Sequence, residues 1–199
     1  KYMCGIVFVG NYLEELSKND DKIKKMTSLL KYRGPDNEDF LWNKHCIMAH
    51  RRLSIIDLKN GNQPLSYTYQ GKTYHITYNG EIYNMIALKN KLLELGFTFS
   101  TTSDTEVLLA SYIAWKEKCL DYLEGIFAFA INDGERLFLA RDPLGVKPLY
   151  YTIINHTIIA ASEMKCLLSY IGKAVVDKNG VKELLGLGPS LTPGHTIYK

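Results

Sequence analysis

Ile126-Phe127-Ala128-Phe129-Ala130-Ile131, then Asn132-Asp133-Gly134, then Arg136-Leu137-Phe138-Leu139-Ala140, is the stretch whose reading decides the fold. Both arms are short apolar runs rich in strand formers, and the residues between them form a tight turn, so the unit reads as a β-hairpin. Leu149 to Ile154 and Thr157 to Ala161 make a second hairpin across Asn155-His156. Tyr67-Thr68-Tyr69 and Thr73 to Tyr78 flank Gln70-Gly71-Lys72 as a third. Cys4 to Val9 reads as a short buried strand. Phe40 to Leu58 holds further strand candidates and leads into a turn-rich stretch, Lys59 to Pro64.

Helical spacing interrupts these strands. Ile23, Met26, Leu29 and Leu30 predict a helix from about Asp20 to Tyr32, stopped by Arg33-Gly34-Pro35-Asp36. Ile86, Leu88, Leu92, Leu93 and Leu95 predict another that ends at Gly96, and Thr105 to Trp115 a third with Ser103 or Asp104 as N-cap. Met164 to Tyr170 and Val181 to Leu185 are helical, and Gly186 to Gly194 reads as loop or linker. Runs of strands broken by helix pairs argue for a layered α+β domain rather than a doubly wound sheet. Stacked sheets between helical layers fit that order.

The composition is that of a globular domain: 199 residues, 46% hydrophobic and 23% charged. The net charge of +3 is interleaved rather than gathered into a basic block, so no nucleic-acid partner is indicated. No apolar run reaches the ~18 residues of a membrane span, and the apolar start meets Gly10, Asn11, Glu14 and Glu15 without a cleavage site, so no membrane partner and a cytoplasmic location are expected. Cys4, Cys46, Cys119 and Cys166 lie far apart, which argues against a zinc site and a disulfide framework. Phosphate loops, GxGxxG and HExxH are missing; Gly186-Leu187-Gly188 lacks the third glycine.

Cys4 remains as a candidate nucleophile. An isolated cysteine is most often a small buried hydrophobe. Cys4, however, directly follows Met3, the kind of residue an aminopeptidase removes. Freed of the preceding residues it would carry an α-amine of pKa about 7.7–8.0 that could take the thiol proton, so one residue would supply nucleophile and base. A Cys4–His50 dyad can also be drawn, but nothing in the sequence brings the two together.

Several ordered segments sharpen this reading: Met3-Cys4-Gly5-Ile6-Val7, Arg33-Gly34-Pro35-Asp36, His50 to Asp57, Gln63-Pro64, Tyr78-Asn79-Gly80-Glu81-Ile82-Tyr83-Asn84, Ser103-Asp104-Thr105-Glu106, Gly125 to Phe129, Arg141 to Tyr151 and Ser162-Glu163-Met164-Lys165. Together they closely resemble the N-terminal glutaminase domain of glutamine-hydrolysing asparagine synthetases, a branch of the class II, N-terminal-nucleophile amidotransferases. The resemblance implies a four-layer αββα sandwich, with two stacked antiparallel sheets flanked by helices. It implies that Cys4 attacks the side-chain amide of L-glutamine, passes through a thioester and releases ammonia. Arg52 would hold the substrate α-carboxylate, and Glu81 and Asp104 the α-ammonium. The Asn79 amide and the Gly80 N–H would form the oxyanion hole, and backbone groups near Leu53 and Ile55 would complete the pocket. Arg52 is preferred to Arg51 because the motif sets the binding arginine directly before Leu-Ser-Ile. Without the resemblance, Asn79-Gly80 reads as a turn, Asp104 as a helix cap and Arg52 as a surface cation.

The resemblance also divides the chain: residues 1–3 precede the nucleophile, 4–186 form the amidotransferase domain, and 187–199 begin a linker. No cofactor is expected in this domain. ATP and magnesium would serve an ammonia-accepting synthetase domain, which the 199 residues do not include, and a homodimer is left open. With Lys1-Tyr2-Met3 attached the Cys4 nitrogen is an amide and cannot act as a base, so this form is expected to be poorly active. Two alternatives stand beside the main reading: the domain of a related carboxylate-amidating synthetase, and a non-catalytic module of the same fold. Arg141 to Tyr151 has the look of a phosphate site in Arg141, Gly145 and Lys147, but is read as a turn plus strand at the rear of the domain.

Overall fold

The computed structural model describes residues 3–16, 21–53, 61–188, 192 and 196–198. Among these, the strands are β1 (Gly5–Gly10), β2 (Asn37–Trp42), β3 (Cys46–Arg52), β4 (Leu65–Tyr69), β5 (Lys72–Ile82), β6 (Gly125–Asn132), β7 (Leu137–Arg141), β8 (Tyr150–Ile154) and β9 (Thr157–Ala161). The helices are α1 (Asp21–Ser28), α2 (Met85–Glu94), α3 (Asp104–Trp115), α4 (Met164–Ile171) and α5 (Lys178–Leu187), with a 3-10 turn at Lys116–Tyr122. One antiparallel sheet runs β2-β3-β1-β9-β8 and the other β4-β5-β6-β7. The three expected hairpins are all present.

Side chains along a strand point alternately to its two faces, and β1 shows what that does here. Val7 and Val9 pack outward with Ile23 and Met26 of α1 and Cys166 of α4. Phe8 points the other way, into the space between the sheets, against Met48, Ala130 and Ala160. Both faces are buried, which is why the segment reads as an unbroken apolar run. On β5 and β6, Ile76, Tyr78, Phe127, Phe129 and Ile131 face α2 and α3 and form the largest core cluster with Leu88, Leu92 and Leu108. The layers are therefore helix, sheet, sheet, helix, as expected.

Two polar contacts tie the sheets across the gap. Thr77 Oγ1 on β5 donates to Ala49 O on β3 at 3.3 Å, and His50 Nε2 lies 3.2 Å from Tyr78 O. Both side chains are on the inner faces, and each meets a main-chain carbonyl of the opposite sheet.

Three local readings change. α1 ends at Ser28, four residues before Tyr32, because Thr27 and Ser28 turn their hydroxyls back onto Ile23 O and Lys25 O and the chain closes in tighter turns through Leu30 and Arg33. On α2 only Leu88 and Leu92, one turn apart, are buried; Ile86, Leu93 and Leu95 are on the outer face. α5 continues through Gly186 to Leu187, where a loop was expected, started by the Asp177 side chain accepting from Asn179 N at 2.9 Å. Beyond it Tyr198 bridges back to Val176, and Asp177 N donates to Ile197 O at 2.9 Å.

Candidate active site

The inner faces open at one end of the sandwich, where β1 begins and β3 and β5 end. A cavity of about 330 Å³ lies there, lined by Cys4, Arg52, Leu53, Asn79, Gly80, Glu81 and Asp104 among others. Seven of the eight residues expected at the site thus surround one space. Ile55, the eighth, lies outside the described residues.

The thiol of Cys4 sits against the backbone of Leu53: Leu53 N donates to Sγ at 3.4 Å, and Sγ lies 3.7 Å from Leu53 O. Burial pushes the thiol above its ordinary value, while the Leu53 N–H and the cations Arg52, Lys147 and Arg33 oppose that rise. Arg33 also fixes the backbone of Cys4. Its Nε donates to Cys4 O at 3.1 Å, its Nη1 pairs with Glu163 at 2.8 Å, and its carbonyl accepts from Met3 N at 3.1 Å. Gly34, next in the chain, lies so close to the Arg51 carbonyl that any Cβ there would collide with it.

The alternation on β3 separates the two arginines. Arg52 and His50 face inward and line the cavity. Arg51 faces outward, where it pairs with Glu38 at 2.9 Å and donates to Thr27 O at 3.3 Å. Arg52 Nη1 meets Asn62 Oδ1 at 3.0 Å. His50 does not partner Cys4: it is buried, its Nε2 is engaged by Tyr78 O, and burial holds its pKa at about 4, so it is neutral.

Asn79-Gly80 is strand rather than turn, paired with Ala128 and Phe127. Gly80 approaches β6 so closely that a Cβ would lie 2.5 Å from Ile126 O and 2.9 Å from Phe127 Cα. Along the outer edge of β5, Tyr78 N donates to Gln63 Oε1 at 2.7 Å and Ile82 N to Asp104 Oδ2 at 3.1 Å. Backbone groups two residues apart point the same way, so the Gly80 N–H faces this same edge, past the start of β4. Beside it, Asn79 is 3% exposed and its Nδ2 is a buried donor without a hydrogen-bond partner among the described residues. Such a donor is costly, about 1–3 kcal/mol, and its position beside the nucleophile's cavity suits it to an arriving oxygen.

Ser103 caps α3, accepting from Thr105 N at 3.1 Å, and Asp104 opens the helix with its carboxylate in the cavity. Burial pushes the Asp104 carboxyl up and Glu81 adds to that; the Tyr78 hydroxyl and the N–H groups of Ile82 and Thr105 pull it down. Glu106 steadies the preceding loop, with Oε1 taking Ser100 N and Oγ and Oε2 taking Thr101 N and Oγ1.

Lys147 is the lining residue that the sequence reading put elsewhere. Asp142 accepts from Val146 N at 2.9 Å and from Lys147 N at 3.0 Å, folding the turn back so that Lys147 reaches the cavity mouth, with Nζ 3.5 Å from Met3 Sδ. This corrects the placement at the rear. The phosphate-like look dissolves as well, because the Arg141 guanidinium donates to the turn's own carbonyls, those of Gly145 and Lys147. Gln63, Tyr78 and Arg33 were also given no role from sequence, although all three lie in motifs quoted for the resemblance.

Two stacked antiparallel sheets flanked by helices, with Cys4 at the head of β1 and Asn79 and Gly80 of β5 lining one cavity, have the architecture of an amidotransferase of the N-terminal-nucleophile fold. The chain belongs to the glutamine amidotransferase domain family, matched over residues 3–199. It is 46% identical over 200 residues to asparagine synthetase [glutamine-hydrolyzing] 3 of Bacillus subtilis, covering 99% of this chain and 33% of that protein. To asparagine synthetase B of Escherichia coli it is 40% identical over 169 residues, 83% of this chain and 30% of the relative. The chain thus spans about a third of the length of these curated relatives. Among solved structures, the glutamine phosphoribosylpyrophosphate amidotransferase of B. subtilis superposes with a TM-score of 0.68 at 21% identity, over 85% of this chain and 44% of that one. At that identity the match speaks for the fold.

Proposed function

We propose that this chain is the glutaminase part of an asparagine synthetase, with the domain over residues 4–186 and residues 187–199 leading toward a synthetase segment. The observation that carries the reading is the buried Asn79 Nδ2, unpartnered among the described residues, at the cavity that also holds Cys4. The Cys4 sulfur attacks the side-chain carbonyl carbon of L-glutamine. The Asn79 amide and the Gly80 N–H receive the developing oxyanion, the C–N bond breaks, and ammonia leaves with a proton. Water then cleaves the thioester to glutamate. Arg52 takes the substrate α-carboxylate through its planar fork, Asp104 and Glu81 take the α-ammonium, and Leu53 and Ile55 close the pocket.

The base is the α-amine of Cys4, exposed once the residues before it are removed. Two facts support this. The polar contacts of Sγ among the described residues are with the Leu53 backbone, and His50, whose imidazole lines the cavity, is already engaged by Tyr78 O. The released ammonia serves a synthetase segment that amidates aspartate. ATP and magnesium would belong with that segment.

Ammonia release from glutamine, with intact mass, should be compared between this chain and one beginning at Cys4. Activity confined to the trimmed chain and abolished by Cys4→Ala is expected. Activity in the untrimmed chain at unchanged mass would refute the α-amine as base, and silence in a well-folded trimmed chain would refute the stand-alone glutaminase.

A further inference from the structure

Tyr78 belongs to two layers at once. The residue is 2% exposed and packs in the cluster under α2 and α3, yet it lines the cavity and its hydroxyl reaches another lining residue, Asp104. There it donates to Asp104 Oδ2 at 2.7 Å, the same oxygen that accepts from Ile82 N at 3.1 Å. Both bonds fall on one carboxylate oxygen, and with the Thr105 N–H acting on the same group they fix the carboxylate on the cavity wall. Burial and the neighbouring acids Asp104 and Glu81 keep the phenol protonated, so it can only donate to the carboxylate.

We propose that Tyr78 is a positioning residue for the substrate ammonium: by holding Oδ2 it fixes the orientation of the Asp104 carboxylate in the cavity wall, and so sets the preference for an α-amino acid over the same molecule without its amino group. The proposal rests on the assignment of Asp104 given above. Asp104 is a carboxylate brought into a partly dry site with a second acid, Glu81, beside it. Cys4, Arg52, His50 and Lys147 line the same cavity. Without the phenol, Asp104 would keep the Ile82 and Thr105 N–H groups but turn more freely, and protonation would compete more strongly with the ammonium.

Calorimetric binding of L-glutamine and of glutaramate, which lacks the amino group, tests this in the Cys4→Ala chain from pH 5 to 8. Tyr78→Phe should weaken glutamine about tenfold, the effect of losing a hydrogen bond to a charged group. Glutaramate should change less than about twofold on the same grounds, and the acid limb of glutamine binding should move to higher pH. In an Asp104→Asn background, Tyr78→Phe should change the preference no further. Equal weakening of both ligands, or an unmoved acid limb, overturns the proposal as a purely structural role. If Tyr78→Phe does not fold, 3-fluorotyrosine at position 78, a stronger donor of nearly the same size, must move the acid limb to lower pH; an unmoved limb again overturns it. Failure of the Cys4→Ala parent to bind glutamine would overturn the glutaminase reading and this inference together.

Discussion

Replacing Asn79 with alanine separates its two roles, because the donor costs stability where it helps chemistry. Nδ2 is buried and has no hydrogen-bond partner among the described residues. Removing it relieves a desolvation penalty of about 1–3 kcal/mol, while deleting the side chain gives up packing of similar size. The two nearly cancel, so Asn79→Ala should unfold within about 1 kcal/mol of the parent, a melting shift of roughly 2–4 °C for a domain of this size. Catalysis has no such compensation. Loss of one oxyanion donor costs about 10²–10³ in kcat, or roughly 2.7–4 kcal/mol. Asn79→Asp should fare worse, since it keeps the shape but presents an acceptor to a developing negative charge. The assay is ammonia release at saturating glutamine by the chain beginning at Cys4, paired with a thermal melt. A fall of 10 °C or more with activity lost in proportion would refute the reasoning by showing the amide to be a core member. So would a kcat retained within about threefold.

Three further outcomes are expected. Because burial lowers the pKa of His50 to about 4, the unfolded chain binds a proton that the fold does not, so its contribution is complete above about pH 6.5 and is lost as pH falls toward 4. The loss is about 3 kcal/mol at ~1.4 kcal/mol per pH unit, and His50→Gln should remove that part of the acid dependence of the urea midpoint. Gly80→Ala should destabilise by about 3 kcal/mol or more, since its Cβ meets the backbone of Ile126 and Phe127; a normal melt would show that β5 and β6 can separate freely. Arg52→Lys should raise KM for glutamine about tenfold by losing the fork, whereas Arg51→Lys should lower stability through its Glu38 and Thr27 contacts and leave KM alone, as read by steady-state kinetics and melts.

What was legible from sequence follows the range of the interactions involved. The hairpin at Ile126 to Ala140 declares itself locally, through its turn and its apolar arms, and so does the Ser103 cap of α3. The end of α1 did not, because Thr27 and Ser28 compete for backbone groups in a way that apolar spacing does not report. Asn79-Gly80 looks like a turn by residue type; tertiary pairing with β6 overrides that preference and makes it strand. Arg52 and Arg51 are alike in composition and are told apart by the pleat of β3, which needs only the knowledge of which face is inside. Lys147 was misplaced because its position depends on the Asp142 carboxylate folding a turn across to β1, a contact between residues far apart in the chain. Tyr78 was overlooked for the opposite reason: its ring satisfies every expectation for a core aromatic, and only the geometry shows its hydroxyl reaching Asp104 on the cavity wall.

Cys4, the proposed nucleophile, stands at the head of a strand in one sheet and its proposed oxyanion donors stand in the other. Their spacing is therefore not fixed by any ladder. It depends on how the two slabs are stacked, and the Thr77–Ala49 and His50–Tyr78 contacts act as dowels between them. A slip of one slab along the other would leave every strand paired and every helix intact, yet carry the sulfur out of reach of the amide it serves. Alignment of the slabs is thus a more delicate property of this molecule than its secondary structure, and under the proposed mechanism turnover would depend on it.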